Sequence, residues 1–197
     1  MSETADRYRR TAADLLARIE ATPAERWSAP SPCPGWTARD VVAHTINEQR
    51  RGLAAVRGEQ PRPLHGVGVA DMGTLPEVAD DADLAAAWRE VSAAMAAAID
   101  DPACADVPLP TPVGPQPFSA VAELLPEDPL VHTWDLARAV GGDERLDEEV
   151  VAHCYELFKA WDTEGQLRQP WAFGAEIEPP AGADLQTEFL CFLGRRP

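Results

Sequence analysis

Residues Pro126 to Ala139 read PEDPLVHTWDLARA, and the fold turns on whether they are helical. Leu130, Val131 and Leu136 lie within a turn of His132, and apart from its acids and prolines the stretch reads as an apolar helix. Asp128 and His132 are four apart, so a helix projects both from one face. Pro126 and Pro129 interrupt that reading, because a proline removes an N–H and disfavours a helical residue before it. The expectation is a helix from about Phe118 to Val140, stopped by Gly141 and Gly142. It either restarts at Pro129 with Asp128 as its N-cap or kinks there.

Outward from that stretch, the chain reads as helices separated by proline-rich breaks. Ala5, Tyr8, Ala12, Leu15, Leu16 and Ile19 are spaced as the buried stripe of an amphipathic helix. A second helix is expected from Thr37 to about Arg57, with Thr37 capping and Asp40 reaching back as a short-armed capping box. A loop rich in Gly and Pro follows, from Gly58 to about Asp80. Leu84, Trp88, Val91, Met95 and Ile99 mark a third helix. The segment from Val107 to Phe118 is either extended or a short hairpin. DEEVVAHCYELFKAWDT (147–163) reads as a fifth helix, opened by acids that suit its dipole, and ADLQTEFLCFLGRR (183–196) holds a last short one. No stretch alternates as a strand would, so the fold class is all-α: a helical bundle with long loops.

A chain of 197 residues suits one domain spanning 1–197. No apolar run approaches the ~20 residues that cross a bilayer, and the charged N-terminus lacks a secretory signal, which points to the cytoplasm. The net charge of −16 repels polyanions, so neither nucleic acid nor anionic membrane surfaces are expected partners. Cys33, Cys104, Cys154 and Cys191 form no C-x-x-C and are expected as buried free thiols.

The chemistry-bearing residues are few. Of the four histidines, His65 lies in the Gly/Pro loop and His153 on the fifth helix, where solvated or satisfied side chains are the default. His44 and His132 lie among core residues, and a buried imidazole needs a partner. Asp128 and His132 at i,i+4 have the spacing by which one helix offers two ligands to one metal. His44 on a second helix completes a two-His, one-carboxylate set that leaves positions open for water or substrate. The same D-x-x-x-H spacing also suits a simple helix hydrogen bond. Asp40 and His44 repeat it, but Asp40 is already used in the cap. Glu48, one turn after His44, is a further ligand or a supporting acid, and Glu127 competes with Asp128. Asp135, three after His132, either holds that imidazole or contacts a substrate, and so is the candidate catalytic residue. Its alternative is a surface pair with Arg138.

RWSAPSPCPGWTARDVVAHT (26–45) and LVHTWDLARAVG (130–141) together resemble the actinobacterial DinB-like proteins related to the N-terminal domain of mycothiol-dependent maleylpyruvate isomerase. The tail FGAEIEPPAGADLQTEFLCFLGRRP (173–197) matches their usual ending. The resemblance implies a DinB-like four-helix bundle with a short C-terminal extension and a divalent metal, commonly Zn2+, in its core. It implies His44, Asp128 and His132 as the metal ligands. In those relatives the helix runs uninterrupted through the acidic ligand, which the two prolines here put in question. Characterised relatives use the metal to activate a small thiol such as mycothiol or bacillithiol. The function implied is a thiol-cofactor-dependent transferase or isomerase acting on a small electrophile, with a non-catalytic metal-binding or small-molecule-binding bundle as the alternative. The partners are then a small-molecule thiol and an electrophilic substrate, with the chain acting as a monomer or homodimer.

Overall fold

Helix α1 (Glu3–Ala21) begins where the Ser2 side chain accepts the Ala5 N–H, and buries Ala5, Tyr8, Ala12, Leu15 and Ile19 along one stripe. The computed structural model describes residues 2–59, 78–111, 114–162, 168 and 173–197. Most of the expected Gly/Pro loop, including His65, lies outside them. A single turn of 3₁₀ helix, Ala24–Arg26, leads to the loop before α2 (Ala38–Val56). Helix α2 starts on the expected capping box: Asp40 Oδ2 accepts the Thr37 N–H at 2.8 Å and Thr37 Oγ1 accepts the Asp40 N–H at 3.2 Å. Helix α3 (Leu84–Asp100) is capped by Asp83 and buries Trp88 and Met95 fully.

Strands β1 (Pro108–Leu109) and β2 (Gln116–Pro117) pair antiparallel, so the proline-rich segment is a minimal hairpin. The helix expected from Phe118 to Val140 is two. A short α4 (Phe118–Ala122) gives way to turns, and α5 starts afresh at Glu127–Val140. Pro126 is its N-cap and Pro129 falls in its first turn, where the missing N–H would have had no helical partner. The prolines therefore mark a start, not a kink, and Asp128 sits inside the first turn without capping it. Gly141, at φ 75°, closes the helix in the left-handed conformation that glycine adopts without penalty.

Four long helices close a ring: α1 packs on α3 and α5, and α2 packs on the same two. Between them lie Tyr8, Leu15, Ile46, Trp88, Met95 and Leu136. Removing one such leucine side chain costs about 2–5 kcal/mol, because the cavity left behind closes only in part. Two polar groups inside are paired: Trp88 Nε1 donates to the Ala12 carbonyl at 2.9 Å, and Tyr8 Oη to Gln49 Oε1 at 2.9 Å. Helices α6 (Glu148–Trp161) and α7 (Leu185–Phe192) pack on each other against the outer side of α5. They enclose a second cluster with Leu130, Val131, Val151, Cys154, Phe158 and Phe189. Helix α5 is thus buried on all sides from Pro129 to Ala137. Among the described residues no helix is long and apolar enough to cross a membrane.

Candidate metal centre

The loop before α2 folds back on itself. The Ser31 N–H donates to the Trp36 carbonyl at 2.9 Å, and the Trp36 N–H to the Cys33 carbonyl at 3.0 Å. This return aims Cys33 at Asp135 of α5 and Trp36 at His44 of α2, and both at a cavity of about 970 Å³. His44 and Glu48 of α2, Glu127, Asp128 and His132 of α5, and Arg195 of the tail also line it. The Trp36 ring lies 4.6 Å from that of His44, which meets the His132 ring edge-on at 5.2 Å.

Here the structure brings His44, Asp128 and His132 together, with one donor atom of each within 4.8 Å of the others. Asp128 Oδ1 is 3.5 Å from His132 Nε2 and 3.8 Å from His44 Nε2, beyond good hydrogen bonds. Asp128 Oδ2 is buried with no hydrogen-bond partner. Donors around a tetrahedral zinc stand about 3.3 Å apart, given bonds of about 2.0–2.1 Å. Three donors within 4.8 Å of one another, two of the separations slightly above that spacing and one donor residue with an orphaned oxygen, fit a divalent cation. Burial, then the neighbouring His132, hold the His44 pKa well below its ordinary value, so its ring is a neutral donor at pH 7. Burial pushes the Asp128 carboxyl up while His132 opposes it.

A second group, Cys33, His132 and Asp135, also places donor atoms within 4.8 Å, but they are already engaged. Asp135 is 0% exposed. Its Oδ2 takes His132 Nδ1 at 3.0 Å, Arg195 Nη2 at 3.0 Å and Cys33 Sγ at 3.4 Å. The guanidinium stands where a cation would have to go. Burial alone would raise the Asp135 carboxyl, yet Arg195 and His132 outweigh it and hold it at about 2. His132 is held well above its ordinary value: burial opposes, and the Asp135 hydrogen bond outweighs it. With its Nδ1 occupied by Asp135, the ring turns Nε2 toward Asp128. Arg138, the surface partner considered for Asp135, pairs instead with Glu144 at 3.0 Å.

Glu48, half-buried, and Glu127, buried, also line the cavity. Burial pushes Glu48 up to about 7, with Arg51 opposing from 2.8 Å. Burial and then Asp128 push Glu127 up to about 8. His153 lies apart on α6, 3.6 Å from Glu123. All four cysteines are free, but only Cys154 and Cys191 are buried; Cys33 and Cys104 are half-buried, contrary to expectation. Trp36 entered the sequence reading only inside the stretch 26–45, and Cys33 only there and among the expected free thiols, which gave no reason to place them at the centre. Arg195 is 60 residues from its partner, and no spacing could have found it.

A ring of four helices with an imidazole–carboxylate–imidazole cluster between α2 and α5 defines a DinB-like helical bundle. The sequence makes the assignment particular. Residues 8–137 match the family described as mycothiol maleylpyruvate isomerase N-terminal domain, and the chain belongs to that family. It is 30% identical over 186 residues to the uncharacterized protein Rv0738 of Mycobacterium tuberculosis, covering 93% of this chain and 91% of the relative. A second uncharacterized protein of that organism, Rv0036c, is 41% identical over 46 residues, which is 23% of this chain and 18% of the relative. No solved structure matches the chain significantly. The family match ends within α5, so α6, α7 and the Arg195 tail lie beyond it.

Proposed function

We propose that His44, Asp128 and His132 hold one divalent cation, zinc, and that the chain is a transferase or isomerase which uses a small thiol, mycothiol, against an electrophile bound in the same cavity. The convergence of three donors on one cavity, with Asp128 Oδ2 left unsatisfied, carries this reading. Membership of a mycothiol-related family supplies the thiol. A bound zinc ion contributes a Lewis-acidic position that favours the ionised form of a thiol near neutral pH.

The chain's own residues do the rest. His44 offers a neutral Nε2, and its ring packs at a tilt against Trp36. His132 directs Nε2 toward the cavity because Asp135 occupies Nδ1, and it gives up the Nε2 proton when it binds the ion. Asp135 is sealed from the cavity, so its role is to orient His132 rather than to touch substrate. Val131, Trp134, Phe173 and Leu193 form apolar wall that limits water around the reacting groups. At about 970 Å³ the cavity is at the upper end of those that take small molecules, with room for two reactants.

The test is thiol-dependent turnover of a panel of electrophiles with mycothiol, using zinc-loaded and chelator-stripped protein. Turnover that needs both zinc and the thiol is the expected result. Turnover that survives complete metal removal overturns the mechanism. Stoichiometric zinc with no turnover across the panel favours the metal-binding bundle instead.

A further inference from the structure

The centre has a supporting residue outside the part of the chain that defines the family. Helix α7 ends in a reversal in which the Gly194 N–H donates to the Cys191 carbonyl at 2.9 Å and the Arg195 N–H to that of Leu190 at 2.8 Å. Gly194 takes φ 79°, and a Cβ there would lie 3.0 Å from both Gly174 Cα and Ala175 O. Only glycine fits that turn, and the turn sends Arg195 back under α5. The Arg195 side chain is tied to the tail by Nη1 on the Leu193 carbonyl at 3.3 Å. Its other arm faces Asp135, with Nη2 3.0 Å from Oδ2 and Nε 3.5 Å from Oδ1.

Asp135 meets His132 Nδ1 on the same Oδ2. A carboxylate accepts and does not donate, so while it stays charged the imidazole must present a proton at Nδ1 and direct Nε2 toward Asp128. Removing the guanidinium would take away the two contacts that hold the Asp135 carboxylate in place against His132 and leave it free to rotate.

We infer that Arg195 is a positioning residue of the metal centre, acting through Asp135 to fix the ring and proton placement of His132. The inference rests on the metal reading above for its effect on zinc, but not for its effect on His132. Arg195 touches no reacting atom. The tail beyond the family-matched region is thereby part of the centre.

Full-length Arg195→Met, Arg195→Lys, Asp135→Asn and the Asp135→Asn/Arg195→Met pair test it. Zinc affinity is read by competition with a chromophoric chelator, and the His132 Nδ1–H signal by NMR in zinc-free protein. Arg195→Met weakens zinc by roughly 10- to 100-fold, as losses of groups that orient a ligand do. Arg195→Lys falls between it and the parent, because the charge remains while the two-pronged geometry is lost. The double variant binds no more weakly than Asp135→Asn alone, since Arg195 acts only through that carboxylate. The Nδ1–H signal shifts in both Arg195 variants. If Arg195→Met does not fold, Arg195→Lys and the double variant, which leaves no orphaned charge, carry the comparison. An unshifted signal, unchanged zinc affinity, or losses that add in the double variant overturn the inference. If the parent binds no zinc, the metal reading fails, and the NMR signal alone decides the role of Arg195.

Discussion

On one side of His132 stand His44 and Asp128; on the other stand Cys33 and Asp135. By ligand type the second group is at least as attractive, since a thiolate binds zinc well. Geometry reverses that ranking. The first group is open, with donors 3.5 and 3.8 Å apart and an oxygen without a partner. The second is closed around Arg195, which already neutralises Asp135. What a cluster can bind depends on which charges already fill it as much as on which atoms it offers. The two groups share one imidazole, so the closed one serves the open one by holding Nδ1.

Loss of a ligand is the strongest way to break that contrast. His44→Ala and His132→Ala should each abolish stoichiometric zinc in elemental analysis of dialysed protein, because two remaining donors make an incomplete site. Full zinc in the double variant would mean the ion sits elsewhere. Asp135→Asn comes next. It should retain the helical circular dichroism of the parent and lose roughly 10- to 100-fold in zinc affinity. An affinity equal to the parent's would reduce Asp135 to a structural pair with Arg195.

The pH dependence sharpens the contrast further. Burial lifts Glu48 to about 7 and Glu127 to about 8, so the folded metal-free protein holds protons that the unfolded chain releases. Their contribution to stability is complete below the ordinary glutamate range and is lost as pH rises through those two values. The raised His132 acts in the same direction. The melting temperature of zinc-free protein should therefore fall from about pH 6.5 to pH 8.5, above the range where the lowered His44 opposes the trend, while zinc affinity rises with pH as His132 gives up its Nε2 proton. Parallel trends for the two would contradict the assignment. The smallest effect belongs to Cys33→Ser. A hydroxyl can still donate to Asp135, so zinc affinity should change less than about threefold, the scale of one weak hydrogen bond. Cobalt-loaded parent should show no sulfur-to-cobalt charge-transfer band. A strong band, or loss of the ion in Cys33→Ser, would mean the closed group is the true site.

Much of this was legible in local sequence. The Thr37–Asp40 capping box, the apolar stripe of α1 and the closure of α5 at Gly141 follow from residues within a few positions of each other. The His44, Asp128 and His132 set was suggested by spacing on two helices, and the structure brings those three together. From Phe118 to Val140 the sequence reads as one helix that either restarts at Pro129 or kinks there. The chain does restart, but at Glu127 after a break from α4, so both prolines fall at a helix start, where they are tolerated, and Asp128 lies in the first turn instead of capping it. Arg195 was illegible for another reason. Its partner lies 60 residues away, and nothing in the helical period links a C-terminal turn to an aspartate of α5.

Helix α5 has a consequence beyond the centre it carries. Leu136 and Ala139 belong to the bundle core, whereas Leu130 and Val131 belong to the cluster under α6 and α7. Neither core is complete until this one helix is docked, and its backbone has no solvent face from Pro129 to Ala137 along which to fray. The two cores should therefore open as one cooperative unit, and the amides of α5 should exchange with deuterium only through global unfolding. Native-state hydrogen exchange that released α6 and α7 early, while α5 stayed protected, would show that the second core is a separable layer.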